Sequence, residues 1–130
     1  MGLEKSDRIS SIIVNPKNSD EVWVGVLGSL WSDSDERGIY KTNDGGTTWQ
    51  KVFGVDNKTG CSDLIIDPKN PSNLYASFWE FRRSPWSFSS GGEKSALYKS
   101  TDGGKTWNKI HNGFPAGKLG IQLGTLYEIK

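Results

Sequence analysis

The sequence predicts an all-β protein made of two copies of one antiparallel unit, and three observations carry that prediction. An octet, Thr42-Asn43-Asp44-Gly45-Gly46-Thr47-Thr48-Trp49, returns as Ser100-Thr101-Asp102-Gly103-Gly104-Lys105-Thr106-Trp107. A second pair of segments, Ile9-Ser10-Ser11-Ile12-Ile13-Val14-Asn15-Pro16 and Cys61-Ser62-Asp63-Leu64-Ile65-Ile66-Asp67-Pro68, repeats at a similar interval, which makes a chance match of the octets untenable. The apolar runs are short, rich in β-branched and aromatic residues, and punctuated by Gly, Pro and Asn, while helical periodicity is absent.

Taken in order, Met1 to Arg8 is polar and expected to fray. The first strand of each copy stops at Asn15-Pro16 or Asp67-Pro68, because proline cannot donate to a ladder and Asn or Asp favours a turn. Glu21-Val22-Trp23-Val24-Gly25-Val26-Leu27 and Asn73-Leu74-Tyr75-Ala76-Ser77-Phe78-Trp79 read as second strands. In the first of these, apolar residues occupy both parities, so both faces should be covered. Gly38-Ile39-Tyr40-Lys41 and Ala96-Leu97-Tyr98-Lys99 enter the octets, and Gln50-Lys51-Val52 and Asn108-Lys109-Ile110 leave them: strand, turn, strand. In each turn an Asp can accept from backbone N–H groups a few residues on, a hydroxyl at Thr42 or Ser100 is a second local partner, and the glycines permit left-handed angles. The Trp that follows can fold its ring back over the hairpin. The copies differ most between second and third strands, where Gly28 to Arg37 is answered by the longer Glu80 to Lys94. A long decorated loop on a rigid scaffold is where a function would be placed.

The pattern hydroxyl-x-Asp-x-Gly-x-Thr-Trp resembles the Asp-box, or BNR repeat, in two full matches. That resemblance implies two four-stranded antiparallel propeller blades, a partial β-propeller, with blade 1 over 9–55 (box 42–49) and blade 2 over 56–115 (box 100–107). It also implies that Thr42, Asp44, Gly46, Trp49, Ser100, Asp102, Gly104 and Trp107 are structural and lie away from any catalytic centre. Residues 116–130 form a C-terminal strand-like tail that departs from the repeat, since it lacks the closing Asn/Asp-Pro. Over 9–115, together with Glu36-Arg37-Gly38-Ile39-Tyr40-Lys41 and Arg82-Arg83-Ser84-Pro85-Trp86, the chain resembles the bacterial sortilin (Vps10)-like, glycosyl-hydrolase-like repeat proteins. This implies a secreted or periplasmic location and a binding or carbohydrate-linked role.

Composition narrows the partners. A formal net charge of +1 with no Lys/Arg block argues against nucleic acid. No apolar run approaches the ~20 residues of a membrane helix, and no signal peptide precedes the first strand. The single Cys61 forms no internal disulfide and leaves the compartment open. Met1-Gly2-Leu3-Glu4-Lys5-Ser6 matches a loose myristoylation pattern and reads as a plain start, and the Asn57-Lys58-Thr59 sequon reads as a polar loop. Repeat units bury their faces only against neighbours, with about three or more needed for a stable stack and about 4 to 8 blades in a propeller. Self-association or membership of a longer chain is therefore expected.

The candidate ligand residues are Arg82, Arg83, Trp79, Trp86 and Glu80 in the longer loop and Trp31 in the shorter one. Guanidinium forks suit carboxylates, flat rings suit sugars, and Glu80 is a candidate acid or base. The alternative is that the aromatics pack between blades with the arginines stacked on them. The acidic residues Asp33, Asp35 and Glu36 could pair with those arginines. Glycoside hydrolysis requires two flanking carboxyl groups whose separation the sequence does not give. A sialidase-type nucleophile would be a Tyr, but Tyr40 and Tyr98 occupy equivalent strand positions that suit a core, and Tyr75 and Tyr127 are scattered. His111 has no triad partners, and Asp33-Ser34-Asp35 lacks the rest of a calcium loop. No catalytic residue, metal or cofactor is assigned. The function expected is a binding or scaffold module for a protein or carbohydrate. The alternative is a fragment of a glycoside hydrolase or sialidase-like enzyme, completed by further blades or by self-association.

Overall fold

The computed structural model describes residue 3 and residues 7–29, 31–90 and 94–110, and of 82–84 and 87–90 it describes the backbone. Among these residues the chain forms strands and turns and no helix. The first sheet holds β1 (Ile9–Asn15), β2 (Asn18–Val26), β3 (Gly38–Thr42) and β4 (Gln50–Phe53) in that order. In the second, β5 (Thr59–Ile66), β6 (Leu74–Ser84), β8 (Ala96–Ser100) and β9 (Asn108–Ile110) follow the same path, and β7 (Ser87–Ser90) pairs with the far end of β6. All pairings are antiparallel.

The repeat holds at the level of register. Ile12 faces Val24 and Ile13 faces Trp23, just as Leu64 faces Ala76 and Ile65 faces Tyr75. Even the irregularity recurs, because the register shifts between Ile9 and Ser11 and again between Cys61 and Asp63. This bulge turns Cys61 and Leu64 onto one face, and both join the same core cluster. The core lies between the sheets: Trp23 and Ile39 from the first meet Cys61, Leu64, Leu74, Ala76 and Phe78 from the second. Close approach is enforced by small residues. A Cβ on Gly25 would stand 2.8 Å from Cys61 Sγ, and one on Gly60 would meet the Leu27 carbonyl oxygen. The two sheets are successive blades of a partial β-propeller.

Val24, Val26 and Tyr40 form a second buried cluster on the opposite face of blade 1, with Leu3 packed against it. Both faces of β2 are thus covered. Within the stretch expected to fray, Asp7 and Arg8 instead accept hydrogen bonds from the Gly28 and Leu27 amides, which extends the sheet by two rungs.

Residues 80–94 correct the sequence reading. They were expected as a loop, but β6 runs on to Ser84 and returns through Pro85-Trp86 as β7, with Phe81 opposite Ser90 and Arg83 opposite Phe88. Alternating aromatic and polar residues on both sides of a Pro-containing turn are a hairpin pattern, which the clustered Ser and Gly obscured. The tail at 116–130, with His111 and Tyr127, lies outside the described residues.

Candidate functional site

Strand direction sorts the connections into two groups. In an antiparallel sheet, alternate connections share an end, so the β1–β2 and β5–β6 turns lie with both Asp-Gly-Gly turns at one end. The β2–β3, β4–β5 and β6–β8 connections lie at the other, and that loop end carries the exposed chemistry.

The two ends differ in what their polar groups do. At the turn end the Asp44 carboxylate accepts from the Thr42 hydroxyl at 2.7 Å, the Thr48 amide at 2.9 Å and the Thr48 hydroxyl. The Gly46 amide donates to Thr42 Oγ1, and Trp49 Nε1 donates to the Gly46 carbonyl at 3.1 Å, which folds the ring back over the hairpin. Asp102, Thr106, Ser100, Gly104 and Trp107 repeat each of these bonds. The hydrogen bonds from Thr48 and Thr42 hold Asp44 down at about 2, and those from Thr106 and Ser100 hold Asp102 lower still. Both carboxylates are committed to their own turns, at the end away from the loops.

At the loop end, Arg37 is buried and ties its own connection together. Its Nη1 donates to the Leu27 carbonyl at 2.7 Å, and Nη2 donates to those of Ser29 and Ser32. Its guanidinium also lies 4.4 Å from the Phe81 ring centre of blade 2, and Phe81 stacks on Trp79 at 4.5 Å. A cation, Arg37, and two stacked rings thus bridge the blades. Further bonds join the connections: the Ser34 amide to the Asn57 carbonyl at 2.9 Å, and the Phe81 amide to that of Lys58.

An open cleft of about 460 Å³ lies beside this junction, lined by Asp35, Lys51, Val52, Phe53, Gly54, Val55, Asp56 and Asn57. Lys51 Nζ donates to the Asp35 carbonyl across its rim. Lys94 Nζ reaches Asp56 Oδ2 at 2.6 Å. Partial burial alone would raise the Asp56 pKa, but the hydrogen bonds from Lys94, the Lys58 amide and Thr59, together with the Lys94 charge, turn the net shift downward. Asp56 is therefore a fixed anion and a hydrogen-bond acceptor at neutral pH.

The six sequence candidates separate. Trp86, at the β6–β7 turn, is 86% exposed, and Trp31, in the β2–β3 connection, is 55% exposed, both at the loop end. Trp79 stacks on Phe81. Glu80 accepts from the Lys94 amide and donates its own amide to Ser95 Oγ. Arg82 and Arg83 lie on β6 opposite Ser89 and Phe88, and their side chains fall outside the described set, as does any pairing with Asp33 or Asp35. Sequence reasoning missed Asp56, Lys51 and Lys94, because only the tertiary structure brings Asp35 of the β2–β3 connection beside Lys51 and Lys94 beside Asp56 of the β4–β5 connection. Tyr40 is a core residue: its hydroxyl donates to Glu36, and burial followed by that contact pushes its pKa up to about 12, the wrong direction for a nucleophile. Cys61 is fully buried and its thiol is pushed up by that burial, so it is no nucleophile either. Among the described residues no three His, Cys, Asp or Glu side chains gather as a metal site.

The fold thus puts the chain in the class of β-propellers, as two consecutive blades. Comparison with known proteins then gives its particular likenesses. No family model matches the chain. Over 114 residues, 85% of the chain, it is 24% identical to an oligoxyloglucan-reducing end-specific xyloglucanase of Emericella nidulans. Over the same span it is 27% identical to a probable enzyme of that name from Neosartorya fischeri. The crystal structure of an ancestral GH74 enzyme matches 87% of the chain at a TM-score of 0.63 and 18% identity, a likeness of fold. The chain spans 11% of the length of these curated relatives and 13% of the solved chain.

Proposed function

We propose that the chain is a two-blade segment of a glycoside-hydrolase-like propeller whose loop end takes a carbohydrate. The observation that carries this reading is the pair of exposed tryptophans, Trp31 and Trp86, at the same end as a cleft bearing Asp35, Asp56 and Asn57. Indole faces stack on the apolar faces of sugar rings, while carboxylate and amide groups accept and donate to hydroxyls. The similarity to xyloglucanases supports a glucan-type ligand and favours the hydrolase-segment alternative over a protein-binding scaffold. The downward-shifted Asp56 carboxylate supports binding over turnover by this segment alone, because a general acid needs a raised pKa. A sugar polymer of this kind lies outside the cell, so the same reading places the protein there. We read the twin turns as Asp-boxes of the sortilin-like type, supported by their repeated bonding.

The test uses xyloglucan oligosaccharides on the 130-residue chain. Saturable quenching of tryptophan fluorescence is expected, weakened about tenfold in Trp31→Ala or Trp86→Ala, the loss of about 1.4 kcal/mol. A wild-type chain that binds no oligosaccharide at millimolar concentration would overturn the carbohydrate reading. Release of reducing ends that Arg82→Ala abolishes would make the segment an enzyme in its own right.

A further inference from the structure

The two blades treat one lysine differently, and the repeat supplies the comparison. Lys51 and Lys109 are equivalent residues, set opposite Tyr40 and Tyr98. In blade 2 the ladder continues without a shift, and Lys109 is exposed and donates to no described residue. In blade 1 the register shifts at Val52, so that Phe53 rather than Val52 stands opposite Ile39. A bulge of this kind re-aims the side chains beside it. The Lys51 stem is laid along the backbone over two glycines: a Cβ on Gly38 would stand 2.9 Å from Lys51 Cε, and one on Gly54 would stand 2.8 Å from Cε and 3.1 Å from Nζ. Blade 2 has Ala96 where blade 1 has Gly38. The track delivers Lys51 Nζ to the Asp35 carbonyl at 2.8 Å, on the wall of the cleft.

The charged groups lining that cleft are Asp35, Lys51 and Asp56. Asp56 is already taken up, since Oδ1 accepts from the Lys58 amide at 2.9 Å and Oδ2 from Lys94 Nζ at 2.6 Å. Lys51 and Asp35 are not. An ammonium has three N–H donors, and among the described residues only the Asp35 carbonyl accepts from Lys51. The Asp35 carboxylate accepts from no described residue and makes no described ion pair with Lys51. A held donor and an open acceptor therefore stand side by side on the cleft wall, because the donor is bonded to the acceptor's own residue. Adjacent hydroxyls of a pyranose match that pair: one accepts from the ammonium while its neighbour donates to the carboxylate. The charges also cancel, Lys51 against Asp35 and Lys94 against Asp56, so the cleft offers no net attraction to an anion.

We propose that Lys51 and Asp35 form a clamp for two adjacent hydroxyls of a neutral sugar, with Lys51 the specificity-determining donor. This rests on the carbohydrate reading of the loop end and names the ligand class and the residues that select it. The bulge at Val52 then serves both of its neighbours, turning Phe53 into the space between the blades and Lys51 onto the cleft.

Calorimetric titration of the 130-residue chain with neutral xyloglucan oligosaccharides tests this. Lys51→Met and Asp35→Asn are each expected to weaken binding about tenfold, the scale of one hydrogen bond to a charged group. Gly54→Ala keeps the charge but places a methyl group where the Lys51 stem lies, so it is expected to weaken binding too. Its cost in stability should be small, because its nearest contacts are with the far end of that flexible stem. Lys109→Met, which removes the counterpart in blade 2, is expected to leave affinity unchanged. Added salt is expected to leave it unchanged as well, since the ligand carries no charge. Circular dichroism on each variant checks the fold, and Lys51→Gln takes the place of Lys51→Met should that variant lose its β signal. Equal affinities in wild type, Lys51→Met and Asp35→Asn would overturn the clamp and leave the carbohydrate reading standing, as would tighter binding of an oligogalacturonate than of the neutral oligosaccharide. A wild type that binds neither would overturn both.

Discussion

The Asp44 and Asp102 carboxylates are exposed yet strongly acidic, because each accepts three hydrogen bonds that only the ionised form takes fully. Their folded pKa values lie below the ordinary carboxylate value, so their contribution to stability is complete above about pH 4 and is lost as pH falls toward about 2. The melting temperature of the wild type is expected to drop over that window. Asp44→Asn with Asp102→Asn is expected to lower it at pH 7 and flatten the acid limb, as calorimetry across pH would show. A second contrast belongs to single glycines. Gly46 and Gly104 have φ of 97° and 92°, so alanine at either position costs about 1–2 kcal/mol of left-handed strain. Gly104→Ala is expected to cost more than Gly46→Ala in urea denaturation, since only its Cβ presses on Trp23. Equal losses would mean that the blade contact gives way freely at that point.

At the scale of elements, β4 shows where sequence and structure part. Its register shifts between Ile39 and Tyr40, placing Phe53 opposite Ile39, whereas the second copy sets Ile110 opposite Leu97 without a shift. The Phe53 ring thereby enters the space between the blades, 5.4 Å from Phe78 and 5.0 Å from Tyr98. Phe53→Ala is expected to destabilise by about 3 kcal/mol, as for a packed core aromatic. Gly60→Ala should cost about 3 kcal/mol or more, because the clash is with the Leu27 backbone, which cannot rotate away. Chemical denaturation measures both, and a neutral Gly60→Ala would show that the blades are separable. The strands and turns were legible in the sequence because period-two patterning and turn chemistry act over a few residues. The Phe53 shift and the β6–β7 hairpin were not, because both depend on which surface a strand finally meets.

At the scale of the whole molecule, topology decides which groups can act together. The tryptophans at 31 and 86 were legible as candidates from the sequence, but the cleft with Asp35 and Asp56 exists only because the β2–β3 connection meets β4 and the β4–β5 connection. Arg37 illustrates the difference: within the sequence it is one residue of a polar loop, and in the fold it is buried, holding three carbonyls and a ring of the other blade. Because Trp86 is 86% exposed, Trp86→Ala is expected to leave thermal stability within about 0.5 kcal/mol of wild type while weakening oligosaccharide binding. A large loss of stability in that variant would assign the ring to packing.

The sequence by itself determined the doubled all-β unit, the two Asp-Gly-Gly turns and the strand order, since each follows from hydrogen bonds and side-chain alternation within one hairpin. The tertiary structure alone decided which face of each blade is buried, which arginine bridges the blades and which carboxylates share a cleft. Those are contacts between residues far apart in the chain, and they are set by how closely Gly25 and Gly60 let the two sheets approach.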